Sequence, residues 1–146
     1  MSVTKKKNAN SKRANKKYIS AAPNPLSSLS LRVVAMPTDT NPNGDMFGGW
    51  MMSMMDLAGA SHAVRMANGP VVTVAVDAMT FHAPAYVGDE VSCYTSLEEI
   101  GNTSVRIKID AFARRNRMRG QTVKITTGSY TYVAIDSDRK PRPIKR

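Results

Sequence analysis

The chain has 146 residues, 42% of them hydrophobic, and carries a formal charge of +10 at pH 7. That length is the span of one domain, and no apolar run approaches the roughly 20 residues that a membrane-crossing helix needs. The charge is concentrated rather than spread: Lys5, Lys6, Lys7, Lys12, Arg13, Lys16 and Lys17 sit in an opening stretch without a single acid, so the remainder need not be a polyanion-binding fold.

Residues 1–25 read as a disordered basic tail, polar and rich in Asn and Ser with nothing to bury, and residues 26–146 as one domain. No apolar segment follows the opening charges, which excludes a secretory signal, and no apolar helical face develops as a transit peptide would require. The lone Cys93 allows no internal disulfide, which fits a reducing, cytoplasmic setting.

After Ala22-Pro23-Asn24-Pro25, alternating apolar residues from Leu29 to Ala35 predict a short strand that Pro37 ends. Thr38 to Asp45 is dense in turn formers and predicts an ordered loop. A single helix is expected from Met46 or Gly48 to about Ala67, closed by Asn68-Gly69-Pro70, and enclosed because its first half is apolar nearly all round. Four strands follow. Val71–Phe81 is a nearly continuous β-branched run expected to be covered on both faces. Glu90–Glu98 and Ser104–Arg114 alternate, with Arg106, Lys108 and Asp110 on the wet side of the latter. Thr122–Ile135 places Val123, Ile125, Thr127, Thr131, Val133 and Ile135 on one face. One helix against about five antiparallel strands is an α+β layer. A single sheet covers one side of such a helix, so a second subunit is the natural cover for the other.

The residue that most needs explaining is Asp56, a carboxylate within Gly48-Gly49-Trp50-Met51-Met52-Ser53-Met54-Met55-Asp56. Burying it without a partner would cost several kcal/mol, so it faces water, pairs structurally, or faces a cleft and does chemistry. The run Met36-Pro37-Thr38-Asp39-Thr40-Asn41-Pro42-Asn43-Gly44-Asp45-Met46-Phe47-Gly48-Gly49-Trp50, with Met54-Met55-Asp56, Met79-Thr80-Phe81, Val87-Gly88-Asp89 and Lys140-Pro141-Arg142-Pro143, closely resembles the bacterial hot-dog-fold acyl-CoA thioesterases. The likeness covers nearly everything after residue 28; only the basic tail departs from it.

The resemblance implies a hot-dog fold, in which an antiparallel sheet wraps one long helix. It also implies side-by-side dimers assembled into hexamers, and hydrolysis of acyl-CoA thioesters without a metal or bound cofactor. Carried over by position, it implies a catalytic carboxylate at Asp56, an amide near the thioester at Asn41, an oxyanion-binding N–H at Gly48, and substrate contacts at Gly49 and Thr80. These roles suit the chemistry. A helix start offers unpaired N–H groups and a partial positive charge to a developing oxyanion. An aspartate can activate water or attack the thioester itself, and sequence does not separate the two routes. Gly48 and Asp56 are eight residues apart, roughly 12 Å along one helix, whereas a thioester carbon must approach both within about 3 Å. The expected site is therefore composite, with Asn41 and Gly48 from one subunit and Asp56 from another.

Plainer readings stand beside these. Asp45 directly precedes the helix and suits a turn or N-cap, although it is the second candidate carboxylate. Asn41 before Pro42 suits turn chemistry. His62 falls on the opposite side of the helix from Asp56 and reads as packing or surface; His82 reads as structural. The loop before the helix has no His, which argues against a dehydratase of the same fold. Met51, Met52, Met54, Met55 and Met66 read as core, with an acyl tunnel as a second role. Arg114, Arg115, Arg117 and Arg119, together with Arg142, either form solvated turns or bind the phosphates of coenzyme A. Cys93, apolar-facing in mid-strand, is a poor nucleophile. The favoured function is a short- to medium-chain acyl-CoA thioesterase. The alternatives are a non-catalytic acyl-CoA sensor of the same fold and, with no base-reading features to support it, a nucleic-acid binder using the tail.

Overall fold

The computed structural model describes residues 21–115 and 120–145. The basic tail up to residue 20, and with it Arg117 and Arg119, lies outside the described residues. Five strands form one antiparallel sheet: β1 (Ser28–Val34), β2 (Val71–Phe81), β3 (Glu90–Ile100), β4 (Ser104–Arg114) and β5 (Thr122–Ala134). Their order across the sheet is β1-β3-β4-β5-β2. One helix, α1 (Gly48–Ala67), lies across one face and touches all five strands. A single 3-10 turn, Pro37–Asp39, stands in the loop between β1 and α1. This is the hot-dog arrangement.

The core is the meeting of α1 with the sheet. Met51, Met55, Ala58, Gly59, Ala63 and Ala67 point inward from the helix, and Val105, Ile107, Ile109, Ala111 and Ala113 meet them from β4. Burying each branched aliphatic side chain contributes about 1.5–3 kcal/mol. The closest approach is at Gly59. A Cβ there would collide with the Tyr132 hydroxyl and lie 2.7 Å from Ile109 Cδ1.

Three expectations are corrected. First, β2 is not covered on both faces: it ends the sheet, and Val74, Val76 and Phe81 are exposed in the subunit. An apolar run reads the same whether a sheet or another subunit is to cover it. The helix is likewise buried on one side only, since Leu57 and Val64 are exposed on the other. Second, β5 does not keep one face throughout. The β4–β5 register shifts between Ala111 and Phe112, and a β-bulge at Ile125–Thr126 turns Thr126, Gly128, Tyr130, Tyr132 and Ala134 inward, where Thr127, Thr131 and Val133 had been expected. Third, Asp110 is not on a wet face but 8% exposed, with Lys124 Nζ 3.3 Å from its Oδ1. That oxygen has no partner in hydrogen-bonding geometry, so the distance marks an ion pair without a well-aligned hydrogen bond.

At the far end of α1, Asn68 takes a left-handed conformation (φ 53°) and its N–H donates to Val64 O. Arg142 reaches back from the C-terminal segment and donates from Nη2 to Ala67 O (2.7 Å) and from Nε to Ile135 O (3.1 Å). A cation is favourable at a helix C-terminus. On the sheet face away from α1, Arg106 on β4 joins Asp77 of β2 (2.6 Å) and Glu98 of β3 (2.5 Å), tying the edge strand across the sheet.

His62, on the opposite side of α1 from Asp56, has Nδ1 2.8 Å from Thr95 Oγ1, itself 2.5 Å from Ser30 Oγ. Burial, and then the nearby Arg65, hold its pKa below the ordinary 6.5. The unfolded chain therefore binds the proton more readily, and stability should be lost as pH falls through 6.5. His62→Asn is expected to give a flatter dependence of Tm on pH between neutrality and the acid side. An equally steep curve in the variant would show that His62 is not the group responsible.

Gly59→Ala supplies a second check. Overpacking costs about 1–3 kcal/mol against about 1 kcal/mol gained in helix propensity, so the urea midpoint should fall. A rise would mean that α1 and β5 are further apart than described.

Candidate active site

The loop before α1 is held by its own side chains. Asn41 Oδ1 accepts from the backbone N–H groups of Asn43 (3.0 Å) and Asp45 (3.1 Å), and Asn41 N donates to Asp45 O (2.7 Å). This is turn chemistry. The two backbone donors also fix which end of the amide is oxygen, so its NH2 group is left without a protein acceptor among the described residues. Asp45 is not the N-cap. That position is Phe47, which makes no side-chain cap, while Asp45 forms an isolated bridge to Tyr86. The first N–H groups of α1 thus lack a capping side chain. A cavity of about 320 Å³ opens in front of them, lined by Asn41, Asp45, Gly48, Phe81, His82 and Ile125 among others. Gly48 packs against the Phe81 ring, which lies 3.5 Å from where its Cβ would stand.

Asp56 lines a different recess, of about 190 Å³, with Met52, Ser53, Val76 and Tyr130. It is half-buried, and its Oδ1 accepts from Thr73 Oγ1 (2.7 Å) on β2 and Tyr132 OH (3.1 Å) on β5. The same Tyr132 hydroxyl lies 3.0 Å from the Asp56 backbone carbonyl. Oδ2 has no hydrogen-bond partner among the described residues. Burial, then the negative charge of Asp56, hold the Tyr132 phenol well above the ordinary tyrosine pKa, so it remains a donor. Tyr130 is held up in the same way and donates to Met52 O (2.7 Å). Within one subunit Asn41 and Gly48 therefore share a cavity, and Asp56 does not belong to it.

The remaining expected contacts divide. Gly49 follows Gly48 in the first turn, with open space where a Cβ would stand. Thr80 is exposed on β2 opposite Thr127, after an irregularity at which Ala78 takes φ 50°. It does not line the Gly48 cavity, although its neighbour Phe81 does. Arg115 is not a free phosphate ligand: its guanidinium pairs with Asp89, donates to Pro84 O (2.7 Å) and lies 4.6 Å from the centre of the Tyr86 ring. Arg142 is similarly committed at the end of α1. Arg114 is exposed and lines a cavity with Arg32, Tyr94 and Phe112 that contains neither Gly48 nor Asp56. Among the described residues, no group of three or more His, Cys, Asp or Glu side chains is arranged to hold a metal. No helix there is long and apolar enough to cross a membrane.

A protein-family model described as the thioesterase superfamily matches residues 43–118, which include the helix start, Asp56 and the β2–β4 strands. The chain belongs to the thioesterase superfamily. Among its relatives in that superfamily is the acyl-CoA thioester hydrolase YciA of Salmonella typhimurium, 48% identical over 122 residues, covering 82% of this chain and 92% of the relative. In structure it resembles a hexameric thioesterase of Yersinia pestis, with a TM-score of 0.80, 46% identity, and 86% and 99% of the two chains covered. It also resembles a hexameric hotdog fold thioesterase of Campylobacter jejuni, with a TM-score of 0.79, 37% identity, and 84% and 93% covered.

Sequence reasoning missed Thr73, Gly59 and Tyr132, the residues around the acid of this thioesterase-superfamily chain. A glycine inside a helix, three residues after Asp56, was a readable sign of close packing. The inward turn of Tyr132 was not readable, because the bulge that produces it leaves no mark in the alternation. Cys93 is fully buried in β3, and burial pushes its thiol up to about 12. Native protein treated with iodoacetamide should therefore keep full activity and take up label only after denaturation. Rapid inactivation by the reagent would contradict this.

Proposed function

We propose that this chain is an acyl-CoA thioester hydrolase, with short- to medium-chain thioesters as substrates and two copies completing each site. Asn41 and the Gly48 N–H hold the thioester carbonyl, and Asp56 of the other copy acts on its carbon, either through water or directly. The observation that carries this reading is the separation of the parts. The uncapped helix start opens into one cavity with Asn41 and Gly48, while Asp56 faces another recess beside the exposed edge strand β2.

Two antiparallel α1 helices side by side bring each start against the other's acid, which a single helix with roughly 12 Å between them does not. Exposed Leu57, Val74, Val76 and Phe81 give a second copy apolar surface to cover, and an edge strand offers unpaired backbone groups to a matching edge. The hexameric states of the Yersinia and Campylobacter structures support assembly of such dimers into a hexamer. The name of the Salmonella relative supports acyl-CoA as the substrate class.

Release of free thiol from a panel of acyl-CoAs tests the assignment. Asp56→Ala should lower kcat by about 100- to 10,000-fold, the range for loss of a positioned base, while Asp45→Ala keeps most of the activity. The reverse pattern would show that the wrong carboxylate has been chosen.

A further inference from the structure

The Asp56 carboxylate is held asymmetrically. Both hydrogen bonds it receives from side chains, from Thr73 Oγ1 at 2.7 Å and Tyr132 OH at 3.1 Å, end on Oδ1. Tyr132 is buried and comes from the sheet side, whereas Thr73 is exposed on the edge strand. The Tyr132 hydroxyl sits in the notch left by Gly59, one helical turn beyond Asp56, and also meets the Asp56 backbone carbonyl at 3.0 Å. The single phenol hydrogen is thus shared between the main-chain carbonyl and the carboxylate of one residue, which sets the side-chain rotamer as well as the oxygen. A tyrosine hydroxyl swings little, because the ring carries it on two torsions that packing has set.

We propose that Tyr132 is a positioning residue for the hydrolysis: by holding Oδ1 against the helix it commits Oδ2 of Asp56 to the substrate. The inference rests on the catalytic reading of Asp56 given above. Tyr130 supplies the internal contrast. It packs beside Tyr132 with ring centres 6.4 Å apart and donates to a backbone carbonyl of α1, that of Met52, but not to the carboxylate.

The titratable groups that face Asp56 are these two phenols of β5; β2 contributes the Thr73 hydroxyl and Val76, and α1 itself contributes Ser53 and Met52. Among the described residues no cation forms an ion pair with Asp56. The Tyr132 hydroxyl, buried and protonated, meets Oδ1 only as a donor, and without it the charged carboxylate keeps Thr73 alone. Removing that hydroxyl should therefore move the acid limb of the pH–rate profile to higher pH.

The experiment is steady-state thioesterase kinetics on the full chain across pH. Tyr132→Phe keeps the ring and should lower kcat about tenfold, the worth of a hydrogen bond to a charged group. KM should stay within about twofold, because such a loss falls on the reacting state rather than on binding. The acid limb should shift upward in pH. Tyr130→Phe loses a hydrogen bond of similar length to the helix backbone, and its limb should coincide with that of wild type.

Should Tyr132→Phe fail to fold, 3-fluorotyrosine at position 132 keeps the hydroxyl and makes it a stronger donor, so the limb should move the opposite way, to lower pH. A limb that stays in place in the Tyr132 variant, or moves equally in Tyr130→Phe, overturns the inference even if kcat has dropped. Asp56→Asn separates the two levels of the argument. If it retains turnover, the catalytic reading itself fails; if it is inactive while Tyr132→Phe behaves as wild type, only the positioning role fails.

Discussion

The arrangement depends on how closely α1 is allowed to approach the sheet. At Gly59 the helix backbone comes near enough to β4 and β5 that a methyl group would strike Ile109 and the Tyr132 hydroxyl. Only at that separation does a tyrosine rooted in β5 reach the helix main chain at Asp56, and its neighbour Tyr130 reach Met52 one turn earlier. Two phenols thus fasten the middle of the helix main chain to the sheet, amid packing that is otherwise mostly apolar and non-directional. Apolar packing would tolerate small sliding; directed hydrogen bonds from a buried, protonated donor do not.

The two ends of the helix are treated differently, and the difference is chemical. The far end is closed: Asn68 ends it in a left-handed conformation with its N–H on Val64 O, and Arg142 donates to Ala67 O. The near end has no capping side chain, although Asp45 stands close by in the chain and is of the right type. An N-cap carboxylate would occupy the very donors that the proposed reaction needs; Asp45 lines the same cavity but leaves those donors uncapped. The loop instead folds through Asn41, which spends its carbonyl on the turn and keeps its NH2 group for the cavity. The same residue therefore satisfies the plain reading and leaves room for the functional one.

Most of the fold was legible because its elements are long and strongly patterned. The helix limits follow from Gly48-Gly49 at one end and Asn68-Gly69-Pro70 at the other, and β4 follows from its strict alternation. The errors fall where periodicity carries no information. One inserted residue in β5 exchanged the two faces of the strand, and this moved Tyr130 and Tyr132 inward. The apolar run of β2 was read as buried in its own subunit, although composition alone does not say which surface will cover it. The placing of Asn41, Gly48 and Asp56 came from a matched motif. The arginines show the limit of that kind of reasoning, for Arg115 and Arg142 were assigned by residue type and turn out to be engaged elsewhere.

Arg142 has a mechanical consequence of its own. It couples the residue that follows β5, through Ile135 O, to the last turn of the helix, through Ala67 O, and Gly69 leaves space for the guanidinium between them. The helix is therefore a shaft bolted at its closed end. The other end is tied differently, by main chain alone: Met46 N donates to Ala85 O and Phe47 N to Asp39 O, so the mouth of the Gly48 cavity is set by the loop and the closed end by a side chain.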